Sequence, residues 1–446
     1  MPSSGRARSG PSWTTPGSRR PVPGRALAGV RIIDLAEVWA GPFGASLLGD
    51  MGADVVKVES FPRRSLTRPL VPDARVADGP GPVYERVTAQ IQGNRNKRNV
   101  ALDIRSPAGA GAFRRLLASS DVLVEGFASG SIQRAGFGWE VVRDVNPRIT
   151  MISMPAWGVR GPYAGYVALG SQVEATAGHT LARGGGREVE EIPGTVATDA
   201  SAPLAVVFAS LLALRRRERT GRGSYIDLSH AEAFSWYLAG QLGSWTLAGR
   251  LPAATGNASP HAVPHGCYPA EREGGSARWV ALAAESDRQW AGLASVLGRP
   301  EWARDGHPWA SIPGRLRARE EIDREVSAWT SRRTRLEAVD ELQAAGVIAA
   351  PVAEPSAMLP SPQLQARGWF HPVEQPYLGT RLLPGFLWRM EPDGARYARP
   401  SALVGEHNAE ILSELGYSLA DIEGLRAVHA AGERYDEETE ALTSGS

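Results

Sequence analysis

Residues 29–60, GVRIIDLAEVWAGPFGASLLGDMGADVVKVES, decide the fold. Val30–Leu35 is an apolar run of strand length, and the small and apolar residues that follow have helical spacing behind Pro42, near the first helical position. Asp54–Glu59 is again a strand-length run. A strand, a helix and a second strand in this order form a right-handed crossover unit with a parallel pair. The pattern continues: SPAGAGAFRRLLASS from Ser106 is a helix capped by Ser106, with Pro107 behind it, and feeds the strand DVLVEGF. SIQRAGFGWEVVRDVNP reads as helical and RITMISM as a strand, so the reading is an open α/β sheet.

From Asp199 a long helix carries apolar residues nearly all round, which predicts burial; arginines in its last turn suit the helix dipole. The strand SYIDLS and the helix HAEAFSWYLAGQLGSW follow. Near residue 250 the composition shifts to a Pro- and Gly-rich connection, LPAATGNASPHAVPHGCYPAEREGGSA. Beyond it, RWVALAA and amphipathic helices predict a smaller domain, and the chain returns through GVIAAPVAEPSAML to a final helix, HNAEILSELG.

Composition bounds the function. At 446 residues, two domains are expected; 43% hydrophobic and 22% charged residues are globular values. A net charge of +1 gives no bulk electrostatic case for nucleic acid or an anionic membrane. The single cysteine, Cys267, excludes an internal disulfide and fits a reducing cytoplasm. No apolar run approaches the ~18 residues of a membrane span. The first 33 residues hold six arginines and no acid, and their prolines oppose a targeting helix, so a tail is expected. Only two of 49 basic residues are lysines, Lys57 and Lys97.

Several motifs fail on inspection. The first turn imitates a dinucleotide fingerprint, with Gly41 and Gly44, but Phe43 occupies the position where a second glycine lets pyrophosphate approach. His261, His265 and Cys267 have metal-like composition, yet Pro264 breaks any shared face and no second ligand pair follows. No metal site is expected. His179 reads as a polar loop residue.

Taken together, LAEVWAGPFGASLLGDMGADVVKVE, NKRNVALD, DVLVEGFASGSIQRAGFGWE, RRRERTGRGSYIDLSHAEA and LVGEHNAEILSELGYS resemble the family III CoA-transferases. That superfamily also contains the α-methylacyl-CoA racemases. The resemblance implies an α/β fold: a large Rossmann-like domain, a smaller α+β domain, a ring-like protomer and an interlocked dimer. It divides the chain into a tail (1–26), a large CoA-binding domain (27–228), a linker helix and loop (229–262) and a small domain (263–345). A return linker with the C-terminal part of the large domain completes it (346–446). The implied substrates are coenzyme A, as an acyl-CoA, and a carboxylic acid. Glu37, Val38, Trp39 and Ala40 match the segment that packs on adenine and pantetheine. Lys97 and Arg134 match basic positions near the CoA phosphates, and Phe127 an aromatic at the nucleotide end. Cations there suit a 3′-phosphorylated ADP. Lys57, on a strand, reads as structural. A basic position just after that strand is Ser60 here, with Arg63 and Arg64 as compensating candidates.

Transferases of this family use an aspartate nucleophile, through mixed-anhydride and enzyme-thioester intermediates. The spacing from Gly161-Pro162 to Gly178 puts that aspartate at Gly170. The racemase histidine falls on Leu169, and its later aspartate on Asp199. Three carboxylates are therefore the catalytic candidates. Glu174 lies one helical turn from Gly170 on the same face, Asp199 also suits a helix cap, and Glu285 aligns with a racemase glutamate of the small domain. The expected reaction is CoA transfer with a nonstandard nucleophile. The alternatives are enolate chemistry of the epimerase or hydratase type, and a catalytically silent CoA-binding subunit. A homodimer is expected, or a heterodimer with an Asp-containing paralogue.

Overall fold

The computed structural model describes residues 25–68, 79–184, 194–392 and 394–436. The expected tail falls almost wholly outside these residues. Six strands form one sheet: β1 Arg31–Asp34, β2 Asp54–Glu59, β3 Lys97–Ala101, β4 Val122–Glu125, β5 Thr150–Ser153 and β6 Tyr225–Asp227. Their order is β3-β2-β1-β4-β5-β6, and every pairing is parallel. The two-residue period of the strands builds a core on each face. Ile33, Val56, Val100, Leu123 and Met151 pack with Phe113 and the C-terminal Ile411, Leu412 and Ile422. Their neighbours Ile32, Val55, Val122 and Ile152 pack on the opposite side with Leu47, Leu48 and Val206.

The local signals work as read for the helix Pro107–Ala118, where the Ser106 hydroxyl accepts from the Gly109 N–H at 3.1 Å. The next helical stretch is two pieces, Ser131–Arg134 and Trp139–Val145, because the chain between them turns through Gly136 at φ +87°. The long helix spans Ala197–Thr220. Its predicted burial is corrected. Ala202, Val206, Val207 and Leu214 join the core, whereas Leu204, Phe208, Leu211 and Leu212 are exposed, Phe208 at 65%. Length and apolar content alone would let this helix cross a membrane, but its buried face belongs to the sheet core.

A three-stranded antiparallel sheet, β7 His265–Glu273, β8 Ser276–Ala283 and β9 Ile348–Val352, organises the second unit. β7 lies inside the stretch expected to be a connection. Gly274 and Gly275, at φ +57° and +81°, turn it into β8 as a tight hairpin. β9 is an edge strand, which is why it tolerates Pro351. Trp290, Trp302 and Trp309 form the core beneath, with Leu293, Ile322, Val326 and Leu342. Beyond lies a hairpin, β10 Phe370–Gln375 and β11 Gly379–Pro384.

The units differ from the expected domain limits. The larger comprises residues up to 167, Asp199–Ala233 and His371 onward; the smaller comprises Ala168–Thr198 and Phe234–Phe370. Residues 229–262 are thus divided after Ala233 rather than forming one linker. The C-terminal segment is bound into the larger unit. Asn408 Oδ1 accepts from the Ala101 N–H at 2.9 Å, and the Tyr435 hydroxyl donates to Glu59 Oε1 at 2.6 Å.

Candidate active site

Chain order reverses between β1 and β4, which are adjacent, so the loops leaving their carboxyl ends diverge. In open parallel sheets this is where a ligand crevice forms. Glu37, Val38 and Trp39 leave β1 there, and Ala40 opens the helix Ala40–Asp50. Phe127 and Arg134 follow β4. The structure therefore brings these predicted residues to one edge of the sheet.

Glu37 pairs with Arg63, and the Val38 N–H donates to Thr67 Oγ1 at 3.0 Å. Val38 has φ +67°, a conformation that a β-branched residue adopts only under constraint. Trp39 stacks with Phe43 at 6.2 Å between ring centroids, and the Arg95 guanidinium lies 5.0 Å from the Phe43 ring. Gly41 is there for packing, since a Cβ on it would come within 2.3 Å of Ala36 Cβ. Arg134 is exposed and donates to Ser131 Oγ at 2.9 Å.

Lys97 is placed differently from the sequence expectation. It is 1% exposed, and its ammonium donates to Asp34 Oδ2, Pro42 O, Gly93 O and Asn94 Oδ1 at 2.7–2.8 Å. Three N–H bonds facing four protein acceptors leave nothing for a phosphate. Arg64, in the loop after β2, has a buried Nη1 without a hydrogen-bond partner among the described residues.

Gly170 opens the helix Gly170–Thr176 and is buried. Glu174 on the same helix is also buried, but it is not a free carboxylate. Its Oε1 accepts from the Thr198 N–H at 3.2 Å; Oε2 accepts from the Thr195 hydroxyl and meets His179 Nδ1 at 3.2 Å. Burial pushes the carboxyl up, yet Thr195, the Thr198 and Ala197 amides and His179 together hold it below its ordinary value. Glu174 thus caps the start of Ala197–Thr220, with His179 packed edge-on to Phe234 at 5.1 Å. Reading His179 as a loop residue missed this partnership, as His179 is five residues from Glu174 and opens its own short helix. Asp199 lies in the first turn of Ala197–Thr220 and is half-buried. Glu285 is exposed before the helix Asp287–Val296, its N–H donating to Gln289 Oε1 at 2.9 Å. It shares no hydrogen-bond partner with Glu174 among the described residues. Sequence reasoning also passed over His230, at the exit of β6. Burial pushes its imidazole down to about 4, against a weaker contact with the Met154 carbonyl.

Replacing Glu174 by Gln removes a charge that takes several donors and is expected to cost about 1–3 kcal/mol. The pH dependence identifies the cause. A carboxyl held below its ordinary value of about 4.3 contributes its full stabilisation above that pH. That contribution disappears as pH falls through the depressed folded value. Urea unfolding at pH 7 and at pH 3 should show the wild-type advantage over E174Q closing in acid; a gap independent of pH would remove the capping role.

An open, all-parallel sheet whose chain order reverses between two adjacent strands defines a Rossmann-like α/β unit. The particular family follows from comparison: residues 27–408 match the model of CoA-transferase family III, and the chain belongs to that family. It is 32% identical over 407 residues to the succinyl-CoA–L-malate CoA-transferase beta subunit of Chloroflexus aurantiacus, covering 90% of this chain and 97% of that one. It is 31% identical over 394 residues to the succinate–glutarate CoA-transferase of Agrobacterium fabrum, covering 87% and 95%. The crystal structure of a CaiB/BaiF family protein from Brucella suis superposes with a TM-score of 0.76 at 28% identity, covering 89% of this chain and all of that one. The chain is an enzyme of this family, whose class of reaction is CoA transfer between carboxylic acids.

Proposed function

We propose that the chain seats an acyl-CoA along the loops leaving β1 and β4 and transfers CoA between dicarboxylic acids of the succinate, malate and glutarate type. The placement rests on the reversal of chain order between β1 and β4, which gathers Glu37–Ala40, Phe127 and Arg134 at one sheet edge. The acid class rests on the names of the relatives. Arg134 and Arg64 are the phosphate cations in this reading: Arg63 is engaged by Glu37 and Lys97 is enclosed, while Arg64 Nη1 has no hydrogen-bond partner among the described residues. The test is direct. The purified chain is mixed with succinyl-CoA and isotopically labelled glutarate or malate, and labelled acyl-CoA is followed by mass spectrometry. Its appearance supports transfer. Deuterium uptake at the α-carbon from heavy water without transfer replaces it with enolate chemistry.

A second reading is favoured by the carboxylates. Residue 170 has no side chain and Glu174 is engaged as a cap, so a second chain would bring the nucleophile. One relative is named as a beta subunit, and this chain exposes apolar faces suited to association. On Ala197–Thr220, Leu204, Phe208, Leu211 and Leu212 form one stripe at helical spacing. In the smaller unit Trp236, Trp245 and Leu247 are exposed, Leu247 at 90%. Phe208→Glu places a charge in the stripe and is expected to shift the chain to a monomer in light scattering. An unchanged mass would free that face from any role in assembly. Transfer that appears only with an Asp-containing paralogue would establish the second reading.

A further inference from the structure

We infer that the chain's two lysines are positioning residues, a buried clamp that holds the loop Leu35–Pro42 in the form that receives CoA. This rests on the proposed seat of the acyl-CoA. The arrangement centres on Asp34, the last residue of β1, which is fully buried. Its Oδ1 accepts from the Ala36 N–H at 2.9 Å. Its Oδ2 meets Lys97 Nζ at 2.7 Å and Lys57 Nζ at 3.7 Å. Each lysine then grips the loop itself: Lys57 donates to Ala36 O, and Lys97 donates to Pro42 O at 2.7 Å. Gly93 O and Asn94 Oδ1 complete the Lys97 site.

The loop is therefore fixed at both ends by ammonium groups, and between the anchors sits Val38 in its left-handed conformation. The anchors on either side and the Thr67 hydroxyl, which accepts from the Val38 N–H, hold that residue in place. The composition explains the residue type. Where 49 basic positions hold only two lysines, both lie within reach of this one carboxylate. A compact ammonium directs its donors to converging carbonyls, whereas a planar guanidinium is larger and fixed in a fork. Both side chains are at most 2% exposed, so a guanidinium in either place would have to be seated inside the protein. The clamp acts through the loop, and neither lysine touches the substrate.

The first test uses the wild-type chain. An amine-directed acetylating reagent followed by peptide mass spectrometry should leave Lys57 and Lys97 unmodified in the native state; rapid modification of either overturns the clamp. The second uses charge-preserving variants, Lys57→Arg and Lys97→Arg. Calorimetric titration with succinyl-CoA should show affinity reduced about tenfold or more, ~1.4 kcal/mol, while affinity for the free carboxylic acid changes little. In a Val38→Gly background, where the loop accepts its backbone conformation without constraint, the penalty of Lys97→Arg should shrink to less than about threefold. Folded arginine variants that bind succinyl-CoA as the wild type does would overturn the inference. If the wild type itself binds no succinyl-CoA, the proposed seat fails instead. Amide exchange at Val38–Ala40 then decides the clamp alone, since Lys97→Arg must accelerate it.

Discussion

Replacing Arg68 by methionine will cost about 3–5 kcal/mol of folding stability, the range for stranding a buried charge. Arg68 is wholly buried; its Nε donates to Glu59 Oε1 at 2.8 Å, its Nη1 pairs with Glu85 and its Nη2 donates to Ala402 O at 2.9 Å. It thereby joins β2, the segment around Glu85 and the C-terminal return. Burial pushes the Glu59 carboxyl up, but Arg68, Lys57 and the Tyr435 hydroxyl outweigh it and hold Glu59 below its ordinary value. For Glu85, burial prevails and its value is raised even beside Arg68. Without the guanidinium, Glu59 keeps Lys57, the Asn99 amide and the Tyr435 hydroxyl and Glu85 keeps the Val404 N–H, but the cation shared by these two buried carboxylates is gone, and both titrate higher than in the wild type. The folded variant then binds more protons than the unfolded chain above about pH 4. Its stability falls as pH rises through those raised values, while in the wild type Glu59 already contributes its full stabilisation over this interval and only Glu85 works against it. Urea unfolding should thus show a gap between wild type and R68M that widens from pH 4.5 to pH 7.5. Adding Glu59→Gln and Glu85→Gln should recover much of the loss. A deficit below about 1 kcal/mol at neutral pH, or one that ignores pH, would show that the network does not carry the return segment.

The sequence was most informative where one residue's neighbours in the chain decide its state. The parallel strands were legible because short apolar runs end in turn residues, and Ser106 was legible as a cap because capping is local. β7 was lost because Pro269 and the adjacent Pro- and Gly-rich stretch read as connection, while its partner β8 supplies the pairing. The long helix looked buried because composition records apolarity and not what covers it; Phe208 is as apolar as Val206, yet only one of them meets the sheet. Lys97 failed for a related reason. A basic residue beside a nucleotide motif suggests a phosphate contact, but the direction of its side chain is set by Asp34 and Pro42, more than fifty residues earlier. For Glu174 the helical spacing from Gly170 was right and the role was different, because the amides it accepts belong to a helix two dozen residues further on.

Gly170→Asp is expected to raise CoA transfer by the isolated chain about 100-fold, equivalent to ~2.7 kcal/mol of activation free energy. The family resemblance places a nucleophilic carboxylate at this position, and only the side chain is missing. The backbone admits one: Gly170 opens a helix, lies outside the left-handed φ region and follows an extended Leu169 at φ −103° and ψ 175°. The first turn of that helix carries no acid and its start favours a negative group, while Glu174, one turn further on, is a like charge already offset by its own donors Thr195, the Thr198 amide and His179. Glu174 need not move, because its cap on Ala197–Thr220 is a separate set of bonds. In the reaction, the new carboxylate attacks the thioester carbonyl and expels the CoA thiolate, leaving a mixed anhydride. The thiolate attacks the enzyme carbonyl of that anhydride, releasing the first acid and forming an enzyme thioester. Hydroxylamine converts that thioester to a hydroxamate, which peptide mass spectrometry should place at position 170 in the variant and not at that position in the wild type. Folding is checked by circular dichroism and binding by titration with succinyl-CoA. A folded variant that binds succinyl-CoA but forms no adduct and gains no transfer would mean that the chemistry of this chain does not take place at residue 170. The search for the reacting group would then pass to Asp199, Glu285 and the neutral His230.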